Sequence, residues 1–360
     1  MKRYKPIVCR SWLAVMLALA PGAILHAAAI PTPLDRPAIK TVHAAQSALL
    51  DLTYAGKRLV AVGERGIVIL SDDQGKTWRQ ARSPISVTLN AVQFVDAQQG
   101  WAVGHAGIVL HTTDGGENWS RQLDGAQAAR LQLVGAQAGV ARDDTALTRN
   151  RLARAEQLVK DGPDKPFLGL YFESEESGYV VGAYNLIFHT SDGGRSWQPL
   201  SERLDNPNDT HLYAIRASGA DLYIAGEQGL LLRSSDGARS FARVVPPYEG
   251  SYFTLNACPS GDLIVGGLRG NAFRSADRGG SWNKLDLKAT ASVLSVTTDC
   301  KGRVLLATQA GQILASGDGG RTMRVIAENL PPVTNIAVLP DGSLLATSLR
   351  GVLHIRAQPK

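Results

Sequence analysis

A turn-forming octapeptide recurs six times along the 360 residues of this chain. The copies are SDDQGKTW around Asp73, TTDGGENW around Asp114, TSDGGRSW around Asp192, SSDGARSF around Asp236, SADRGGSW around Asp277 and SGDGGRTM around Asp318. Successive aspartates lie 41, 78, 44, 41 and 41 residues apart. A period near forty with strand-like content marks a propeller or a solenoid. Each copy has one layout: an apolar strand, a V-G-x-x-G-like turn, a second strand, the aspartate turn, then an aromatic residue. An alternating strand upstream, such as ALLDLTYAG, makes four short antiparallel strands per repeat. Four-stranded sheets repeated radially make an all-β propeller.

A seventh copy, VTNIAVLPDGSLLATSLRGVLHIRA (residues 333–357), has three strands and no aspartate turn. The expectation is a seven-bladed propeller over residues 30–360. Its last blade would take its outer strand from PAIKTVHA (37–44), so that N- and C-terminal strands close the ring and leave no edge.

The turn itself has a structural job. The carboxylates of Asp73, Asp114, Asp192, Asp236, Asp277 and Asp318 can accept backbone N–H groups of their own turns. Trp78, Trp119, Trp197, Phe241 and Trp282 are expected to bury a ring between blades. A calcium loop is the rival reading, but the alternating acidic ligands and closing Glu are missing, so no metal is expected.

AVGERGIVILSDDQGKTW, GWAVGHAGIVLHTTDGGENW and GYVVGAYNLIFHTSDGGRSW carry a family resemblance. The motif resembles the Asp-box, or bacterial neuraminidase repeat, of sialidases, some endoglucanases, sortilin-type receptors and the photosystem II stability and assembly factor family. The chain is most similar to the last, over residues 45–357. That resemblance implies a seven-bladed, non-catalytic assembly factor for a membrane-protein complex, without cofactor. It also implies that relatives outside photosynthesis are exported accessory proteins, some serving transporters.

Strand alternation puts the aspartate turns on one face of the ring and the V-G-x-x-G turns on the other. The fourth residue of the latter turn reads Arg65, Ala106, Tyr184, Gln228, Arg269, Ala310 and Arg350 around the ring. Arg65, Arg269 and Arg350, with Tyr184 and His105 nearby, are the candidate partner-binding residues. Bidentate arginine contacts suit a carboxylate, and the resemblance implies an arginine docking patch. The bland reading is three solvated arginines.

Residues 125–166 interrupt the rhythm between blades two and three. DDTALTRNRLARAEQLVKDGPDKP reads as a helix over 144–160, with Asp143 or Asp144 capping it and Gly162-Pro163 ending it. Such an insertion is a docking arm, a lid or tolerated decoration. The polar stretch SERLDNPNDTHLY (201–213) is a second long loop, placed on the arginine side.

Residues 1–29 read as a signal peptide, with a basic start, the apolar WLAVMLALAPGAIL and a small-residue site at Ala27–Ala29. An uncleaved anchor is the rival. Export places the protein in the periplasm, in contact with membranes. The formal charge of +6 owes four cations to this leader, so nucleic acid is not an expected partner. Cys258 and Cys300 remain outside the leader and can pair in an oxidising compartment, or stay as free thiols.

A sialidase-like glycoside hydrolase is the alternative function. It needs paired carboxylates or a tyrosine nucleophile with an acid, and neither stands out beside Tyr184. The Phe-Arg-Ile-Pro start of sialidases is missing. The expected function is thus a monomeric, non-catalytic binding and assembly module. Its partner would be a membrane protein or transporter subunit, and no small-molecule substrate is expected.

Overall fold

The computed structural model describes residues 32–258, 260–298 and 302–355. Every blade is built up-and-down from consecutive strands. Blade one holds β1 (Leu49–Ala55), β2 (Arg58–Gly63), β3 (Val68–Ser71) and β4 (Arg79–Gln80). Six sheets have four strands and the seventh has three among the described residues. The central strands are buried along nearly their whole length, as in RLVAVG of β2, because blades cover both faces of each sheet. The first strand of each blade packs against the first strand of the next. Val333–Val338 of blade seven packs back on β1, so these strands ring the axis.

The strand expected from residues 37–44 does not form. That segment lies along the outside of blade one. Ala38 N donates to Ser83 O (3.1 Å), Thr41 N to Gln80 Oε1 (2.9 Å) and Gln80 Nε2 to Ile39 O (3.1 Å). Ile39 and Val42 are 72% and 93% exposed, so the segment has no apolar face to bury as a strand. Side chains of the inner strands join the ring instead. Thr334 Oγ1 donates to Leu49 O (2.8 Å), Tyr54 Oη donates to Val338 O (2.9 Å), and Asn335 Nδ2 donates to Asp51 Oδ1.

The aspartate turns are uniform. In each, the Ser or Thr two residues before the Asp donates its hydroxyl to Oδ1. A backbone N–H four residues after the Asp donates to the same oxygen at 2.8 to 3.1 Å. Each turn leans on the preceding blade: Gly75 lies beside Leu345 and His354, and Gly116 beside Leu70 and Val60. Trp119, Trp197 and Phe241 are buried as expected. Trp78 and Trp282 are only half-buried, which corrects the expectation for those two rings.

The insertion holds two helices where the sequence suggested one. The expected helix is α2 (Ala146–Asp161), capped by Thr145 rather than Asp143 or Asp144, and ended by Gly162 at φ 79°. Before it runs α1 (Gly125–Arg142), whose cap Asp124 forms a capping box with Gln127. Small residues hide α1 from a periodicity reading and let it pack closely. Ala128, Ala129, Ala136 and Gly139 are buried, and Gly135 faces Pro199 of blade three. No described helix is long and apolar enough to cross a membrane.

Candidate partner-docking face

Backbone geometry aims the arginines outward. Glu64, Arg65, Gly66 and Ile67 form a hairpin turn closed by Ile67 N to Glu64 O (3.0 Å) and Gly63 N to Ile67 O (3.0 Å). Arg65 (φ 52°, ψ 31°) and Gly66 (φ 72°) are both left-handed, as a type I′ turn requires. The chain entering β1 presses on this turn. Glu64 N donates to Ala48 O (2.9 Å), and a Cβ on Gly63 would sit 2.1 Å from that same oxygen. With backbone on the inner side, the Arg65 side chain has only solvent to enter. Ala106, Tyr184, Gln228 and Arg269 share the left-handed position, at φ 57°, 54°, 54° and 57°. Arg350 differs: its N–H donates to Ser348 Oγ (3.1 Å), and the positive φ falls on Gly351.

Arg65, Arg269 and Arg350 are exposed. Their guanidinium groups make no hydrogen bond or ion pair with described residues. Nearby acids do not neutralise them. Glu64 Oε1 accepts the N–H of Ala48 (3.1 Å), and Glu227 Oε2 accepts that of His211 (3.2 Å). Arginines kept free of local carboxylates suit an incoming one.

Blade three departs from the repeat in three ways at one place. Its turn carries Tyr184 and Asn185, where the other six turns have glycine at the second position. The helical insertion precedes the blade and the loop 201–211 follows it. Together they enclose a cleft of about 930 Å³, lined by α2, Tyr184, the loop and Glu227. A buried amide network holds its wall. Asn206 Nδ2 donates to Asn185 Oδ1 (2.9 Å) and to Thr210 O (3.0 Å), and Asn185 Nδ2 donates to Ser201 O (3.3 Å). Arg154 of α2 pairs with Asp209, whose carboxyl is pushed above its ordinary range by burial. Lys165 lies 5.2 Å from the Tyr184 ring centre, and His211 meets that ring edge-on at 4.7 Å.

The five candidate binding residues therefore share one face but not one contact set. Tyr184 lines the cleft. His105 sits in the blade-two turn, where Gly107 touches the start of α1 at Gly125. Arg65, Arg269 and Arg350 belong to the turns of blades one, five and seven and lie outside the cleft. Lys165, His211, Asn185 and Asp209 were not singled out from sequence. Asp209 and His211 fall in the long loop 201–213 and Lys165 in the insertion 125–166, while Asn185 stands out as the non-glycine among seven aligned turns. Cys300 lies outside the described residues, so its pairing with Cys258 does too. Among the described residues no group of His, Cys, Asp and Glu is placed to hold a metal.

The family model of "Photosynthesis system II assembly factor YCF48" matches residues 39–141 and 151–247, more than half of the chain. The photosystem II assembly lipoprotein Ycf48 of Synechococcus sp. (strain CC9902) is 29% identical over 143 residues, covering 38% of this chain and 32% of the relative. The protein of the same name from Parasynechococcus marenigrum (strain WH8102) is 29% identical over 181 residues, covering 49% and 54%. The chain thus spans about half or less of the length of these curated relatives. Among solved structures, YCF48 bound to D1 peptide superposes with a TM-score of 0.63 at 18% identity, covering 90% of this chain and 100% of that one. This likeness shows the seven-bladed propeller fold.

Proposed function

We propose, from the premise that the chain belongs to the photosynthesis system II assembly factor family, that it is an exported, non-catalytic factor that docks on a membrane-protein complex during assembly. The observation that carries this reading is the set of exposed, uncompensated arginines at Arg65, Arg269 and Arg350, on one face of a rigid ring. A relative that binds a peptide of D1 supports a polypeptide as the ligand. Glu64 and Glu227, beside the turns, accept backbone N–H groups of Ala48 and His211 and leave the three arginines without a carboxylate partner among the described residues. The signal peptide at residues 1–29, outside the described residues, would deliver the chain to the periplasm as a monomer. There a transporter subunit is a suitable partner. Tyr184, His105 and the helical insertion would flank the contact.

The test is crosslinked capture from solubilised membranes of the native host. Wild-type protein would be compared with the variant carrying Arg65→Ala, Arg269→Ala and Arg350→Ala, with both melting temperatures recorded. One membrane protein captured by wild type and lost by an equally stable variant supports the docking reading. Equal capture by both sinks it.

A further inference from the structure

The inner strand of every blade carries a β-bulge at its second residue. Pairing with the next strand skips from Leu49 to Asp51, Leu89 to Ala91, Leu212 to Ala214, Tyr252 to Thr254, Val293 to Ser295 and Val333 to Asn335. In blade three Phe167 and Gly169 pair with consecutive residues and skip Leu168. A bulge gives up a ladder bond and re-aims one side chain. A residue on the innermost strand can meet solvent only through the axial channel or its mouths, and all seven bulged residues are half-buried. Each bulge lies opposite the residue that opens the arginine-side turn, a glycine in blades one to five and Thr308 and Ser348 in blades six and seven, so these side chains ring the channel mouth on that face.

Two of the seven are polar and are used as stitches. Asn90 Nδ2 donates to Phe167 O (2.8 Å), and Thr334 Oγ1 donates to Leu49 O. The other five are Leu50, Leu168, Tyr213, Phe253 and Leu294. Tyr213 and Phe253 meet edge to face at 5.3 Å, and Tyr213 reaches His211 of the cleft at 6.3 Å. Deeper in, the channel turns polar. Asp51 accepts N–H groups of Val92 (2.7 Å) and Leu52 (2.9 Å), and Arg216 donates to Leu170 O (3.1 Å). The apolar zone is therefore confined to the mouth, with free arginines on the turns around it.

We propose that this mouth is a specificity pocket. It takes one large apolar side chain from an extended partner segment whose flanking carboxylates rest on Arg65, Arg269 and Arg350. The proposal rests on the docking reading and adds to it what the ring selects. Charge complementarity argues for an acidic segment, because the surrounding turns supply cations whose carboxylate partners are not among the described residues. A buried aromatic or aliphatic anchor at the centre of a polar rim is the usual energetic core of such a contact.

The full chain would be titrated with three fluorescein-labelled nonapeptides, GSGDFEGSG, GSGDAEGSG and GSGNFQGSG, by fluorescence anisotropy. The first is expected to bind about tenfold or more tightly than the second, and Phe253→Ala and Leu294→Ala should erase that gap. Because those variants can lower stability, wild-type protein would also be crosslinked with the first peptide carrying benzoylphenylalanine in place of Phe. Adducts are expected on the inner-strand bulges. Equal binding of the first and second peptides, or adducts elsewhere, overturns the apolar pocket and leaves arginine docking standing. Binding of the neutral third peptide as tightly as the first overturns the arginine reading, and the proposal with it. Failure of all three to bind overturns both.

Discussion

Thr334 donates its hydroxyl hydrogen to the carbonyl of Leu49, 2.8 Å away and 285 positions earlier in the chain. This bond joins blade seven to blade one at the inner strands. It does there what a shared outer strand would do in a ring closed by exchange of termini. The same hydroxyl lies 3.0 Å from Thr347 Oγ1. Replacing Thr334 with Val keeps the shape and removes the bond. The expected loss is about 1 kcal/mol of unfolding free energy, read from urea titration. A variant as stable as wild type would mean that apolar packing alone closes the ring.

Two buried tryptophans at matching repeat positions differ in one hydrogen bond. Trp119 Nε1 donates to Gly116 O at 2.9 Å. Trp197 Nε1 is buried without an acceptor among the described residues. Truncation to Phe removes a similar volume from both sites, so the cavity cost is shared. Trp119→Phe also strands a carbonyl, whereas Trp197→Phe removes an unpaired donor. Trp119→Phe should therefore be the more destabilising by about 1 kcal/mol. Equal losses in chemical denaturation would show that the indole hydrogen bond adds nothing here.

The box aspartates set an acid limit on the fold. The carboxyls of Asp73, Asp192, Asp236 and Asp277 are drawn from the ordinary 3.8 down to about 2. The main cause is the hydroxyl of Thr77, Ser196, Ser240 or Ser281. A folded value below the unfolded one means that the unfolded chain binds more protons between the two. The stabilisation is thus complete above about pH 4 and is lost as pH falls towards 2. Melting temperature should drop over that window. Asp192→Asn with Asp277→Asn should start lower and fall less steeply. An unchanged slope in the double variant would place the acid sensitivity elsewhere.

What the sequence made legible follows from how local the chemistry is. Asp114 and its hydroxyl and backbone donors span a few residues, so the box, its period and the seven blades can be read directly. Arg65 and Arg269 were legible for the same reason, since a turn position fixes which way a side chain leaves. The inner-strand bulges were not. Leu50, Asn90, Leu168, Tyr213, Phe253, Leu294 and Thr334 share a place in the register but no residue type, and register appears only once strands pair. Helix α1 was hidden because Ala128, Ala136 and Gly139 give contact through smallness rather than through an apolar stripe. The cleft depends on Asn206 meeting Asn185 across 21 positions, which no spacing rule announces.

Arg65 and Arg269 occupy left-handed backbone at φ 52° and 57°, a region that favours glycine. A side chain there costs about 1 kcal/mol or more, and neither arginine recovers that through a hydrogen bond or ion pair with described residues. Replacing both with Gly relieves the strain, while the greater freedom of glycine in the unfolded chain offsets part of the gain. The double variant should melt at the same temperature or higher. Its capture of the membrane partner, and its affinity for GSGDFEGSG, should fall about tenfold or more as two bidentate contacts vanish. That pairing of unchanged stability with lost binding is expected only if the arginines are kept for a partner at the expense of the turn. A lower melting temperature with binding intact would mean that they serve the fold instead.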